Sequence, residues 1–200
     1  MELERNNRIL IVDDNKAIHE DIRKILGPSK KKDRVIDELE RALFEEDDTC
    51  DLTVEKNVTY EIDSAYQGQE AFEMVRTASK TRPYAMLFMD VRMPPGWNGV
   101  ETILRVWKEF PHTEMVICTA YSDYTWEGII STIGLTDRLL ILKKPFDPMV
   151  VKQMCLMLTQ KWSSGFLGRE CVKEVEALEH ETTKRTQQLK NILKGWRNLQ

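Results

Sequence analysis

Carboxylates, a hydroxyl and an ammonium, the side chains that handle phosphoryl groups, stand at the ends of apolar runs in this chain. Ile9-Leu10-Ile11-Val12 leads into Asp13-Asp14, and Met86-Leu87-Phe88-Met89 leads into Asp90. Met115-Val116-Ile117-Cys118 leads into Thr119, and Leu139-Leu140-Ile141-Leu142 leads into Lys143-Lys144-Pro145. Asp90 is the candidate nucleophile, because a carboxylate can attack phosphorus and form an acyl phosphate. Such a site must manage dense negative charge, and Mg²⁺ does this with a few carboxylates, water and phosphate oxygens. Asp13, Asp14 and Asp90 provide such a set, and the backbone carbonyl of Arg92 could add a ligand. Lys144 offers a fixed positive charge to phosphoryl oxygens, while Pro145 restricts its backbone. Thr119 can donate its hydroxyl to another oxygen, and the Ala120 N–H is a further donor.

Each feature alone has an ordinary explanation. An Asp pair after a strand often caps a turn or helix. A threonine at a strand end is a common β-former. Met93-Pro94-Pro95-Gly96 by itself is only a turn. The specificity lies in the order of these features and in their strand context.

An apolar run of this length bounded by turn residues reads as a buried strand. The spacing predicts strands over 8–12, 58–64, 85–90, 114–119 and 138–142. Helical periodicity falls between them: Ile18, Ile22, Ile25 and Leu26, stopped by Gly27-Pro28; Ala71, Phe72, Val75 and Ala78; Val100, Ile103, Leu104 and Trp107; Trp126, Ile129, Ile130 and Ile133, stopped by Gly134. A fifth helix carries Val151, Met154, Cys155, Leu158 and Trp162. Alternating βα units imply an α/β, doubly wound, five-stranded parallel sheet. In such a sheet the strand ends gather at one edge, where ligands bind. That edge is where the three carboxylates, the hydroxyl and the ammonium would converge.

Two segments lie outside this unit. Residues 29–58 hold six Lys/Arg and ten Asp/Glu, so they carry the whole net charge of −4. Val35, Ile36, Leu39, Ala42 and Leu43 read as one inserted amphipathic helix, and Glu45-Glu46-Asp47-Asp48 as an acidic loop. The C-terminus is the second segment. Ser163-Ser164-Gly165 is expected to break the fifth helix. Beyond it Val175, Leu178, Thr182, Arg185, Leu189, Ile192, Trp196 and Leu199 alternate in steps of three and four, a heptad pattern. The expected division is a domain over 1–162, with the insertion at about 29–58, and a C-terminal helix over 163–200.

The mild acidity argues against a dedicated nucleic-acid surface. Cys50, Cys118, Cys155 and Cys171 are isolated, which disfavours zinc and disulfide readings. The N-terminus has no apolar signal core, and no run reaches membrane-spanning length. Cytoplasmic placement without membrane insertion is the expectation.

Val12-Asp13-Asp14, Met89-Asp90-Val91-Arg92-Met93-Pro94, Thr119-Ala120 and Lys144-Pro145-Phe146 together resemble the receiver domain of two-component response regulators. The resemblance covers roughly residues 7–162, less 29–58. It implies a flavodoxin-like fold with strand order 2-1-3-4-5, and phosphoryl transfer to Asp90 from a sensor histidine kinase or histidine phosphotransfer protein. It further implies Mg²⁺ at Asp13, Asp14, Asp90 and the Arg92 carbonyl, Thr119 as the switch hydroxyl, and Lys144 as the site lysine. Any self-dephosphorylation would be slow and incidental, so the implied protein is a signalling domain rather than an enzyme.

The chain departs from the family pattern at three places. Asp13 and Asp90 are 77 positions apart, well beyond the family's usual spacing. The loop Met93–Gly99 is one residue longer, which leaves Trp97 over the site mouth, in the core or on the surface. Ile141 stands where many receivers carry an aromatic switch residue, with Tyr121 or Tyr124 as substitutes.

The C-terminal helix is the visible transmitter. It is expected to form a homodimeric coiled coil through 168–200, or to link to an output domain beyond this sequence. Two other classes compete. A haloacid-dehalogenase-like phosphohydrolase also uses an Asp nucleophile, Mg²⁺, Thr and Lys, but its Asp-x-Asp frame here reads Asp13-Asp14-Asn15. An assembly module with a receiver fold that phosphate does not switch is the other.

Overall fold

In the computed structural model of the chain, the described residues are 5–27, 58–120 and 126–197. The inserted helix and acidic loop read over 29–58, and the Tyr121 and Tyr124 alternatives, lie outside them. Among the described residues, five strands and five helices alternate. They are β1 Arg8–Val12, α1 Lys16–Leu26, β2 Glu61–Ala65, α2 Gly68–Ala78, β3 Met86–Asp90, α3 Gly99–Glu109, β4 Glu114–Thr119, α4 Trp126–Ile133, β5 Leu139–Lys143 and α5 Pro148–Arg197.

All strand pairs are parallel, and the order is β2-β1-β3-β4-β5. The two strands β3 and β4 are buried along their full length, as expected when helices cover both faces of a parallel sheet. Strand side chains alternate between faces, and the core divides accordingly. Leu10, Val12, Leu87, Met89, Met115 and Ile117 meet Ala71, Val75, Ile103, Val106 and Ile129 of α2, α3 and α4. On the other face Ile9, Ile11, Met86, Phe88, Val116 and Cys118 meet Ile22 and Leu26 of α1 and Val151, Cys155 and Leu158 of α5.

Three local expectations are corrected. Strand β2 begins at Glu61 rather than 58, because it is an edge strand paired only with β1, whose ladder starts at Arg8↔Glu61. Leu104 is exposed, and buried Thr102 takes a core-facing place on α3, its hydroxyl donating to the Asn98 carbonyl at 2.8 Å. Helix α5 runs through Ser163-Ser164-Gly165 without interruption. A mid-helix glycine costs only about 1 kcal/mol relative to alanine, and strong helix formers such as Lys161, Leu167, Arg169 and Glu170 surround it.

Residues 1–162 and 163–200 form two compact units. In the first, α5 is rooted by buried Val151, Cys155, Leu158 and Trp162. In the second, the helix exposes Phe166, Leu167, Val172, Val175 and Leu178. No described helix is long and apolar enough to cross a membrane.

Candidate functional site

Strand register builds the site. Val12 is level with Met89 across β1 and β3, so the next residues, Asp13 and Asp90, stand side by side at the sheet edge. Asp90 is level with Cys118 of β4, and Thr119 with Lys143 of β5. Thr119 and Lys144 therefore follow one step beyond.

Asp13 is 2% exposed and Asp90 9% exposed. The Lys144 ammonium donates to Asp13 Oδ2 and to Asp90 Oδ1, each at 2.6 Å. The second oxygen of each carboxylate accepts a backbone N–H, Asn15 at 2.9 Å for Asp13 and Arg92 at 2.7 Å for Asp90. Burial works against the Lys144 ammonium, but its hydrogen bonds to Asp13 and Asp90 and their charges outweigh that. They hold its pKa above the ordinary lysine value. The Lys144 N–H donates to the Thr119 carbonyl at 2.9 Å, which locks β4 and β5 together at the mouth.

Thr119 is buried, and its hydroxyl donates to the Ala120 carbonyl at 2.9 Å. Ala120 and Arg92 are exposed. Asp14 is exposed. Among the described residues no three acidic, cysteine or histidine side chains sit close enough to form a ready metal cage.

Asp13 and Asp90 nevertheless suit Mg²⁺, which binds through one or two carboxylates and keeps several waters. Their two Lys144-bound oxygens share one cationic partner, so they lie within about 5.2 Å of each other. A cation already bridges this pair.

Burial pushes the Cys118 thiol, beneath the site, far up. It is a neutral filler and no nucleophile. Trp97 is half-buried; it packs edge-on to Phe72 of α2 at 6.0 Å, with the Arg105 guanidinium 4.1 Å from its ring centre. Ile141 is partly buried against the α2–α3–α4 face of the core.

Sequence reasoning missed two contributors. Gly99 opens α3 directly behind Asp90, where a Cβ would fall on the Asp90 carbonyl oxygen and 3.0 Å from its carbon. The Asn98-Gly99 pair was a usable signal, since Asn98 caps α3 by accepting the Glu101 N–H at 2.8 Å. His19 was the other. It shares the buried face of α1 with Ile22 and Leu26, at helical spacing.

The family model of the response regulator receiver domain matches residues 47–155. The chain belongs to that family, whose members are signalling domains that generally accept a phosphoryl group on an aspartate. The match begins after β1, so Asp13 and Asp14 lie outside it. No curated protein matches.

Among solved structures, the chain is similar to the signal receiver domain of a putative LuxO repressor protein from Vibrio parahaemolyticus. That pair shares 13% identity over 81% of this chain and 96% of the other, with a TM-score of 0.56. A structure described as adenylate cyclase from Rhodopirellula baltica matches at 19% identity, over 84% and 98%, with a TM-score of 0.57. The signal receiver domain of an HD domain-containing protein from Pseudomonas fluorescens Pf-5 matches at 15%, over 82% and 95%, with a TM-score of 0.58. At these identities the likeness establishes the fold, and it is the receiver fold.

Proposed function

We propose that this receiver takes a phosphoryl group onto Asp90 from the phosphohistidine of a sensor histidine kinase or histidine phosphotransfer protein. An Asp90 oxygen forms the new bond to phosphorus as the P–N bond breaks, and the imidazole leaves with that electron pair. The observation that carries this reading is the Lys144 ammonium held 2.6 Å from both Asp13 and Asp90. It is a fixed charge beside the carboxylate that must meet an anion.

Asp13, Asp14, Asp90 and the Arg92 carbonyl would hold Mg²⁺, which when bound would neutralise charge on the phosphoryl oxygens. Thr119 is the switching group. Its hydroxyl donates to Ala120 O, and must leave that carbonyl to reach a phosphoryl oxygen. The energy difference between those two partners biases the equilibrium.

The receiver domain comprises 1–162, and 163–200 is the transmitter, acting in the cytoplasm without direct contact to nucleic acid. Val172, Val175 and Leu178 are each more than half exposed, an apolar seam that a second copy of the helix would cover through 168–200. Light scattering should report a dimer for the full chain and a monomer after truncation at Ser163.

The test of the central claim is intact-mass measurement after incubation with acetyl phosphate and Mg²⁺. A single phosphoryl adduct is expected, absent without the metal and absent in Asp90→Asn. An adduct that survives in Asp90→Asn refutes the assignment.

A further inference from the structure

Helix α1 carries one buried polar side chain that the phosphoryl chemistry does not use. His19 is 2% exposed and both of its ring nitrogens are engaged. Nε2 lies 2.8 Å from the Asp13 carbonyl oxygen, and Nδ1 lies 2.6 Å from Ser64 Oγ of β2. The Tyr66 ring covers it, with centroids 4.8 Å apart at 45°.

The partners set the tautomer. A backbone carbonyl only accepts, so Nε2 carries the proton and donates it to Asp13 O. In the neutral ring Nδ1 is then the acceptor, and the Ser64 hydroxyl donates to it. One ring thereby ties the end of β1, the first turn of α1 and the C-terminal end of β2.

The Asp13 carbonyl belongs to the peptide group that joins Asp13 to Asp14. The Asp13 N–H is already held by Ala65 O at 3.2 Å, so His19 supplies the remaining main-chain restraint on this residue. A peptide plane free to rock would let the Asp13 carboxylate drift from Asp90 and change where Asp14 leaves the strand.

We propose that His19 is a positioning residue for the acidic pair: through the Asp13 carbonyl it holds Asp13 in the place from which it would share a divalent cation with Asp90. The proposal rests on the phosphoacceptor reading above. Groups that orient metal ligands through such hydrogen bonds typically cost tenfold or more in metal affinity when lost. A histidine that merely filled the core would be replaced equally well by any polar side chain of similar size.

The experiment compares His19→Gln with His19→Asn in the full chain. A Gln amide reaches the position of Nε2 and can still donate to Asp13 O, whereas an Asn amide reaches only that of Nδ1. Mg²⁺ is titrated against each protein by backbone-amide NMR, with circular dichroism as the check on folding. His19→Gln should bind Mg²⁺ within about twofold of the parent, and His19→Asn about tenfold more weakly. Equal affinities in the two variants overturn the proposal.

A second measurement needs no variant to fold. Long-range ¹H–¹⁵N spectra of the parent chain, which has three histidines, should show the Nε2–H tautomer for His19. The Nδ1–H tautomer overturns the proposal. A parent chain that binds no Mg²⁺ sinks the phosphoacceptor reading and this inference together, while Mg²⁺ binding with indistinguishable variants sinks the inference alone.

Discussion

Replacing Lys144 by methionine keeps most of the side-chain volume and removes the charge between Asp13 and Asp90. The two oxygens that Lys144 bridges lie within about 5.2 Å of each other. Two unit charges about 5 Å apart at an effective dielectric near 20 repel by about 3 kcal/mol. That matches the loss expected when one partner of a buried ion pair is removed. For a unit of this size it is a fall of roughly 6–12 °C in Tm. Thermal unfolding of Lys144→Met should show this loss in the absence of divalent metal. With excess Mg²⁺ less than half of it should remain, because a metal ion between the carboxylates takes over the ammonium's role. The pH dependence has a definite sign. Lys144 titrates above its ordinary value of 10.5 in the folded chain. Its stabilisation is therefore complete below 10.5 and lost only as pH rises through the higher folded value. The gap between parent and variant should stay level across neutral pH and close only in strong alkali. The reasoning fails if the loss is the same with and without Mg²⁺, since Lys144 would then matter through packing alone. It fails equally if there is no loss.

Gly99→Ala puts a methyl group onto the Asp90 carbonyl, backbone that cannot swing aside. It should cost about 1–3 kcal/mol or more in denaturant melts and reduce the acetyl phosphate adduct. Gly134→Ala, in open space at φ 87°, should lose about 1–2 kcal/mol from backbone strain alone and leave the adduct unchanged; matching adduct yields for the two variants would contradict the close-approach argument. Burial raises the pKa of Glu114 above 4.5 despite Lys161 at 3.1 Å. Its folded state therefore favours the protonated form, and stability contributed below pH 4.5 is lost as pH rises through the folded pKa. Glu114→Gln should gain on the parent as pH rises from about 4 to 7 in urea melts. Parallel curves would show that Lys161, which also pairs with Asp137, cancels the cost of burial.

The sheet was legible because β1, β3, β4 and β5 are short apolar runs ended by polar residues, and a doubly covered parallel sheet demands that pattern. Strand β2 was less so: Glu61-Ile62-Asp63-Ser64-Ala65 is an edge strand with a half-polar face, and only its pairing to Arg8–Val12 sets its limits. Helix α5 continues past Ser163 because Ser-Ser-Gly ends a helix only where flanking propensity is weak. The shared sheet edge of Asp13, Asp90, Thr119 and Lys144 was legible because each stands at a strand's last residue or one step past it. His19 was not, because its partners are a main-chain carbonyl and Ser64 of β2, 45 positions away. A periodicity argument sees only that a polar residue shares a face with Ile22 and Leu26. The exposure of Asp14 was hidden for a related reason, since adjacent residues at a strand end point apart.

Distance along the chain bears little on the chemistry of this edge. Asp13 and Asp90 are neighbours because Val12 is level with Met89, whatever separates them in sequence. The connection from α1 to β2 spans the 34 residues from Gly27 to Tyr60. Loop-closure entropy grows only with the logarithm of length. A wholly flexible connection of that length would cost about 1.5 kcal/mol more than a turn of about six residues. That is less than the roughly 3 kcal/mol at stake in the Asp13–Lys144–Asp90 contact. The length of this connection therefore bears little on where Asp13 stands, because β1 is held between β2 and β3. Residues that end paired strands are held by neighbours across the ladder, and an insertion outside the ladder leaves that restraint untouched.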